Sequence, residues 1–302
     1  MTFSLNDTIF ALSSAQGRAG VSVFRVSGPE ARHVVKILTG RSCPAPRKGA
    51  LRLFSRDNII IDSGLLLWMP GPKSFTGEDV AEFQVHGSPA VIEAMAAAFQ
   101  VAGARQAKAG EFTRRAFENG RMDLTEAEAI ADLKDAETEG QRQQALRQMR
   151  GGLRDTYNGW RELLLDALSQ IEGEIDFPDE ADVPNALAHR AAPGLNAIIE
   201  AMGKALQDSA RGEHIRHGLD ITIIGPPNAG KSTLINALSD KEAAIVSPEA
   251  GTTRDIIEVH MVMGGLPVRI SDTAGLRDTD NPIEAEGVKR AYERGKQSDI
   301  RI

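Results

Sequence analysis

The chain of 302 residues is long enough for two or three domains, and its net charge of −7 argues against indiscriminate binding to nucleic acid. Its single cysteine, Cys43, excludes an intramolecular disulfide framework and a cysteine-rich zinc site. The amino terminus has neither the basic nor the apolar part of a signal peptide, and no run of 18 apolar residues occurs, so we expect a cytoplasmic protein.

Residues 1–120 are predicted to form an N-terminal α+β domain. Apolar runs separated by glycine and proline predict strands at residues 9–12, 21–26 and 59–68. A helix is predicted from Pro89 to Ala102 because apolar residues recur there at helical spacing.

From residue 121 the composition shifts to residues that favour helix, which predicts the first part of a helical domain over residues 121–217. Thr125 and Glu128 have the spacing of a capping box at its start. From Leu153 to Ile175 apolar residues step by three and four, which predicts a buried core stripe on a helix that ends before Pro178. Another helix is predicted from about residue 191 to residue 217.

Residues 225–232, GPPNAGKS, match the phosphate-binding pattern GxxxxGK(S/T). An apolar strand-like run precedes them and a helical run follows, which is the context that this motif requires. The glycines allow the backbone to wrap a phosphate, and the N-terminus of the helix favours an anion. Lys231 is predicted to reach the β- and γ-phosphates, and the Ser232 hydroxyl is predicted to bind Mg²⁺.

Two further motifs make a coincidental match very improbable. Residues 251–255, GTTRD, match a first switch region, and residues 272–275, DTAG, match a second. In switch GTPases a threonine of the first region and the aspartate of the second hold Mg²⁺, and the glycine N–H senses the γ-phosphate. Two strands, at residues 256–263 and 266–271, are predicted to form a hairpin at Gly264-Gly265. The sequence therefore predicts a Ras-like P-loop domain over residues 218–302.

The nucleotide-binding residues predicted from these motifs are Asn228, Ala229, Gly230, Lys231, Ser232, Thr233, Thr252, Thr253, Asp272, Thr273, Ala274 and Gly275.

Leu276 stands where Ras-like switches have a glutamine that orients the attacking water. Because leucine cannot hydrogen-bond to water, the catalytic groups must lie elsewhere. The candidates are Asn228, Asp278, Asp280, Glu284 and Glu286. The sequence stops in an apolar run that predicts another strand, and it contains no Asn-Lys-x-Asp motif for guanine selection. The P-loop domain is therefore predicted to be incomplete in this chain, and the residues alone leave the base of the nucleotide open.

Three stretches outside the nucleotide motifs resemble the MnmE (TrmE) family of tRNA-modification GTPases. They are residues 7–28, with GRAGV and FRVSG, residues 74–87, with SFTGED and HG, and residues 110–129, with GEFTRRAF and DLTEAEA. The resemblance covers essentially the whole chain. Ribosome-assembly GTPases share the nucleotide motifs, but that alternative would leave residues 1–215 without a purpose.

The resemblance implies a folate-binding N-terminal domain that also forms a homodimer, and a helical domain interrupted by the inserted GTPase domain. It implies potassium-stimulated GTP hydrolysis and addition of a (carboxymethyl)aminomethyl group at C5 of the wobble uridine of certain tRNAs. A tetrahydrofolate derivative, in its 5-formyl or methylene form, would supply the one-carbon unit, and an FAD-dependent partner of the MnmG type would take part. The alternative is a folate-binding dimerisation module without productive GTPase activity.

The family's folate contacts fall on Arg25, Glu82 and Arg121. A carboxylate suits the donor edge of folate, and a cation suits its anionic tail. A surface ion pair is the alternative interpretation of the first two residues, and a solvated charge that of the third. The segment from Arg105 to Arg121 has five basic and two acidic residues, and it is a weak candidate for contact with tRNA phosphates.

The family's potassium site falls on Asn228, Ser247, Glu249 and Thr252, with Ser247 also beside the nucleotide. There K⁺ would supply the positive charge that an arginine finger supplies elsewhere. The Mg²⁺ ligands fall on Ser232 and Thr253. Glu284 matches the glutamate that helps to place the attacking water, and a helix-surface carboxylate is its alternative interpretation.

Overall fold

The computed structural model describes residues 7–176, 187–225, 229–239, 258–272, 296 and 298–302. It divides into two compact units, residues 1–127 and residues 128–302. The predicted boundaries at 120/121 and 217/218 stay predictions.

A six-stranded sheet forms the centre of the first unit. The strand order is β3-β4-β5-β2-β1-β6, and all neighbours are antiparallel except β1 and β6. The strands are β1 Ile9–Leu12, β2 Ala19–Ser27, β3 Ala50–Arg56, β4 Ile59–Met69, β5 Val80–Gly87 and β6 Arg105–Gln106. The predicted strands at residues 9–12, 21–26 and 59–68 are confirmed. Strand β5 was missed because its buried residues alternate with polar ones, whereas the prediction relied on continuous apolar runs.

One face of this sheet carries the core. Helices α1 (Ala31–Thr39) and α2 (Pro89–Val101) pack on it, and the second confirms the predicted helix. Phe99 of α2 lies among the rings of Phe10, Phe24 and Phe83, with centroid separations of 5.0–5.4 Å. We call the opposite side of the sheet the outer face.

Helix α3 (Glu111–Glu118) precedes α4 (Leu124–Asp135), where the predicted capping box was misplaced by two residues. The Asp123 carboxylate accepts a bond of 2.8 Å from the backbone N–H of Glu126, and the Glu126 carboxylate accepts one of 2.9 Å from the N–H of Asp123. The prediction considered only Ser and Thr as the cap, although Asp serves equally well.

The second unit begins with a helical part formed by α5 (Glu139–Met149), α6 (Gly152–Asp176) and α7 (Leu187–His217). The described part of α6 reaches Asp176, and its predicted end before Pro178 falls next to residues 177–186, which lie outside the described residues, so it stays a prediction. The predicted burial of its apolar stripe is wrong for the described residues, since Leu164, Leu168 and Ile175 are 45%, 48% and 69% exposed. The reason is that α6 packs along the side that carries buried Ala167, next to α7, so that the stripe remains on the surface.

A four-stranded sheet completes the second unit, in the order β10-β7-β9-β8. Its strands are β7 Leu219–Ile223, β8 Glu258–Met263, β9 Leu266–Asp272 and β10 Ile300–Arg301, and helix α8 spans Lys231–Ser239. The predicted strands and the helix after the phosphate-binding loop are confirmed. The hairpin is confirmed too, because Gly264 and Gly265 have positive φ angles of 59° and 82°, as a type I′ turn requires.

None of the described helices combines the length and the apolar character that a bilayer crossing requires.

Candidate functional sites

The phosphate-binding loop begins at the carboxyl end of β7, next to the end of a second parallel strand. Strands β7 and β9 pair in parallel with Ile223 opposite Asp272, so the loop and the DTAG motif both start at the same edge of the sheet. Ligands of open α/β sheets bind at the carboxyl ends of parallel strands. The tertiary structure therefore brings together two motifs that are 40 residues apart in the sequence.

The amino end of α8 has the backbone that an anion site needs. Gly230, with a φ of +87°, precedes the helix, and a Cβ there would meet no atom within 4 Å. Lys231 begins the helix and donates a hydrogen bond of 3.0 Å from Nζ to the carbonyl of Gly225, so its side chain arches across the loop. Ala229 and Thr233 are exposed at this end. The N–H groups of the first turn and the lysine ammonium together suit a polyphosphate.

Much of the predicted nucleotide and cation set lies outside the described residues. This applies to Asn228, Ser247, Glu249, Thr252, Thr253, Thr273, Ala274, Gly275, Glu284 and the alternatives Asp278, Asp280 and Glu286. Ser232 belongs to the first turn of α8, and Asp272 is the last residue of β9. Among the described residues, no group of three or more His, Cys, Asp or Glu side chains could hold a metal ion.

Arg25 and Glu82 are direct neighbours on the outer face of the first sheet. They are paired across β2 and β5, and Arg25 Nε lies 3.0 Å from Glu82 Oε2. Gln84 donates a bond of 3.2 Å to Oε1 of the same carboxylate. Each carboxylate oxygen accepts two hydrogen bonds, so Glu82 retains capacity for another donor. The ion-pair interpretation is thus correct, and it is compatible with binding of a ligand.

A loop contacts the outer face of the sheet at Ser27, two residues along β2 from Arg25. We call residues 74–78 the SFTGE loop. The Thr76 hydroxyl lies 2.7 Å from that of Ser27, which in turn donates a bond of 2.6 Å to Glu78. Ser27 is two residues from Arg25 on the same strand, and side chains two apart share a face about 7 Å apart. The loop therefore lies beside the Arg25–Glu82 pair.

Arg121 contacts the same loop at Ser74 and Gly77. Its Nε lies 3.3 Å from the carbonyl of Ser74, and its Cγ would lie 3.2 Å from a Cβ at Gly77. Gly77 has a φ of +82°, so the loop needs glycine there for its backbone as well as for space. The three predicted folate contacts thus flank one loop, although they are far apart in the sequence.

A buried ion network behind the loop was not predicted. Arg115 is 2% exposed and donates to Asp7 at 2.5 Å, to Glu78 at 3.1 Å and to Glu111 at 3.4 Å. Arg105 donates to Glu111 at 2.6 Å and to Asp7 at 2.8 Å. The hydrogen bond from Arg105 is the main reason why the pKa values of Asp7 and Glu111 lie below their usual range. The sequence signal for this network was that its members other than Arg105 all lie in the family-like stretches.

The same contacts change the interpretation of the basic segment 105–121. Arg115 is buried, and Arg105 and Arg114 form ion pairs with carboxylates of the same unit. Since much of this charge is neutralised internally, the segment offers fewer contacts to tRNA phosphates than its composition suggests.

The fold and these sites define a class of protein, a P-loop nucleotide-binding domain joined to a helical domain and preceded by an α+β domain with an ion pair on its outer face. Comparison with known families agrees. The model for "GTP-binding protein TrmE N-terminus" matches residues 8–121, and the model for "MnmE helical domain" matches residues 124–298.

Curated relatives match nearly the whole chain. The tRNA modification GTPase MnmE of Maricaulis maris is 57% identical over 99% of this chain and 68% of the relative. That of Parvibaculum lavamentivorans is 54% identical over 98% of this chain and 68% of the relative. The human mitochondrial 5-taurinomethyluridine tRNA synthase subunit GTPB3 is 50% identical over 97% of this chain and 60% of its own length. The chain belongs to the MnmE family.

Proposed function

We propose that the protein is a GTPase that takes part in modifying C5 of the wobble uridine of certain tRNAs. It would add the (carboxymethyl)aminomethyl group together with an FAD-dependent partner of the MnmG type, with a tetrahydrofolate derivative as the one-carbon donor. The proposal rests on the presence, in one chain, of a phosphate-binding loop at the carboxyl ends of parallel strands and of the Arg25–Glu82 pair beside the SFTGE loop. The printed names of the relatives support the tRNA part.

In the P-loop domain, the roles follow from the chemistry of a triphosphate. Lys231 would exchange its bond to the Gly225 carbonyl for the β- and γ-phosphate oxygens, and the first turn of α8 would donate its N–H groups. Hard oxygen ligands at Ser232, Thr253 and Asp272 suit Mg²⁺. Carbonyl, amide and hydroxyl oxygens at Asn228, Ser247, Glu249 and Thr252 suit K⁺, whose charge would stabilise the transition state in place of an arginine finger.

With Leu276 in place of a glutamine, Glu284 is proposed to position the attacking water. Potassium dependence is the direct test of this arrangement. We expect GTP turnover to be faster in K⁺ than in Na⁺ at equal ionic strength, and we expect Asn228→Ala to abolish the difference. Asn236→Ala changes an exposed asparagine of α8 and should leave the difference intact. Equal turnover of the unaltered protein in the two salts would contradict the cation assignment.

In the first unit, Glu82 would accept from the donor edge of the pterin with Arg25 beside it, and Arg121 would meet the anionic end of the folate. Calorimetry with 5-formyltetrahydrofolate tests this assignment. Arg25→Ala should weaken binding about 10- to 100-fold, since a charged hydrogen bond contributes about 1.5–3 kcal/mol. Arg56→Ala is the matched control, because that arginine is 42% exposed against 44% for Arg25 and stands at the far end of β3.

The homodimer is proposed to form through the first unit, and the protein is proposed to act in the cytoplasm. The alternative function is a folate-binding dimerisation module without turnover. Folate binding together with GTP hydrolysis supports the GTPase, and folate binding without hydrolysis supports the module.

Mass spectrometry of tRNA from cells that lack the gene tests the wobble modification itself, and an unchanged wobble uridine would contradict it. A ribosome-assembly role would instead predict altered ribosome profiles.

A further inference from the structure

Phe75 is an exposed aromatic residue on an otherwise well-packed loop. Its side chain is 41% exposed, whereas its neighbours Ser74 and Thr76 are 5% and 0% exposed. Both neighbours are buried while the ring reaches solvent, so part of the ring is accessible to a ligand. A large apolar ring held out in water loses the hydrophobic stabilisation that burial would provide, which calls for an explanation.

The loop holds this ring in a fixed place. Besides the bonds to Ser27, the Ser74 hydroxyl donates a bond of 2.5 Å to the Glu78 carbonyl, and Asn119 donates one of 2.7 Å to the Thr76 carbonyl. The Glu78 carboxylate is fixed in turn by buried Arg115. Both neighbours of Phe75 are thus anchored on two sides. A ring on such a backbone loses little entropy when a ligand packs on it.

The position of the ring relates it to the proposed folate site. Thr76, the next residue, contacts Ser27, which is one side-chain step along β2 from Arg25 and its partner Glu82. Ser74, the preceding residue, accepts from Arg121. In the chain, Phe75 therefore lies between the residue that contacts Arg121 and the residue that contacts Ser27, next to the Arg25–Glu82 pair. The middle of a folate consists of flat conjugated rings, which stack well on aromatic side chains.

We propose that Phe75 is a binding residue that packs against the ring system of a tetrahydrofolate derivative. This inference rests on the proposed folate site and adds to it the apolar contact that the charged residues cannot supply. Offset or edge-to-face packing of two rings contributes beyond simple burial. Loss of the ring should accordingly weaken binding roughly 10- to 100-fold, since each 1.4 kcal/mol is a factor of ten.

Calorimetry with 5-formyltetrahydrofolate on matched variants tests the proposal. Phe75→Leu should weaken binding by the factor given above, while Phe75→Tyr, which keeps the ring, should bind within about threefold of the unaltered chain. Phe117→Leu is the control, because Phe117 is 40% exposed on α3 of the same unit. Melting temperatures should be similar among the four proteins, since each replacement keeps a large side chain at a position that is 40–41% exposed.

Four outcomes separate the possibilities. Weaker binding by Phe75→Leu alone, with an unchanged dimer in sedimentation, supports the contact. Equal affinity of Phe75→Leu and the unaltered chain contradicts it and leaves the folate site standing. If Phe75→Leu dissociates the dimer, and its affinity recovers at high protein concentration, the ring contacts a second copy of the chain and the proposal is wrong. If the unaltered chain binds no folate, the proposed site fails and this contact fails with it.

Discussion

The guanidinium of Arg115 lies 2.5 Å from the carboxylate of Asp7, although 108 residues separate the two in the sequence. The same guanidinium reaches Glu78 on the SFTGE loop. One buried side chain therefore ties the amino-terminal segment, the loop and helix α3 together. Without Arg115, Asp7 and Glu111 would keep only their pairs with Arg105, and the largely buried Glu78 would lose its guanidinium partner in a medium of low dielectric constant, which is strongly destabilising.

We expect Arg115→Gln to lower the free energy of unfolding of the first unit by about 3 kcal/mol or more. The fluorescence of buried Trp68 reports this unit, and a Trp160→Phe background removes the other tryptophan of the chain. Arg114→Gln is the control on the same helix. Arg114 is 51% exposed and pairs with Glu118, so its loss should cost at most about 1 kcal/mol. Equal urea midpoints for the two variants would show that the buried network contributes no more to the free energy of unfolding than the exposed Arg114–Glu118 pair.

The same network should make the first unit sensitive to acid. The pKa values of Asp7 and Glu111 are lowered in the fold from ordinary values of 3.8 and 4.5, mainly by hydrogen bonds from Arg105. A lowered pKa means that the ionised form stabilises the fold. That stabilisation is complete above the ordinary values and is lost as the pH falls through the lowered ones. We therefore expect nearly constant stability from pH 7 to about pH 5 and a decline below it.

Glu111→Gln provides the control for the acid effect. This variant cannot lose the charge at position 111, so its stability should fall less steeply with decreasing pH, although it starts from a lower value at pH 7. Urea denaturation at several pH values measures both slopes. Parallel curves for the two proteins would assign the acid sensitivity to other carboxylates.

Lys231→Ala should weaken binding of a fluorescent GTP analogue about 10- to 100-fold, because a charged hydrogen bond to phosphate is lost. Lys134→Ala is the control, since Lys134 is 76% exposed on α4 and pairs only with the neighbouring Asp135 among the described ion pairs. Lys231→Ala should keep its helical content, because the bond from Lys231 to Gly225 is a single contact at the loop. Unchanged affinity would remove Lys231 from the nucleotide site.

Gly218 joins α7 to β7 and has no room for a side chain. Its φ is +83°, and a Cβ would lie 2.5 Å from the carbonyl oxygen of Pro267 on β9. We expect Gly218→Ala to destabilise the second unit by about 2 kcal/mol or more, through backbone strain and displacement of β9. Because β7 leads into the phosphate-binding loop, affinity for nucleotide should fall as well.

Gly203→Ala, inside helix α7, is the opposite case. A Cβ at Gly203 meets no atom within 4 Å, so alanine should stabilise α7 by up to about 1 kcal/mol. Thermal unfolding followed by circular dichroism compares the two variants. A stabilising or neutral effect of Gly218→Ala would contradict the close approach of β9.

The phosphate-binding strand and helix, the glycine hairpin and helix α2 could be predicted because their signals are local. Glycine conformations, apolar runs and helical periodicity act within a few residues. The capping box was misplaced because the side chain that caps α4 is Asp123, and the stripe on α6 was misjudged because periodicity indicates which residues share a side but not whether anything covers that side.

By itself, the sequence determined the nature of the phosphate-binding loop, since its glycines and Lys231 act within eight consecutive residues. Only the tertiary structure decided which distant residues are neighbours in space. Strand pairing placed Asp272 at the level of Ile223 and Arg25 opposite Glu82, and a buried guanidinium fixed the loop that carries Phe75. Such relationships depend on contacts between residues 37 to 57 positions apart, which arise from the register of strands and the packing of the core rather than from local preference.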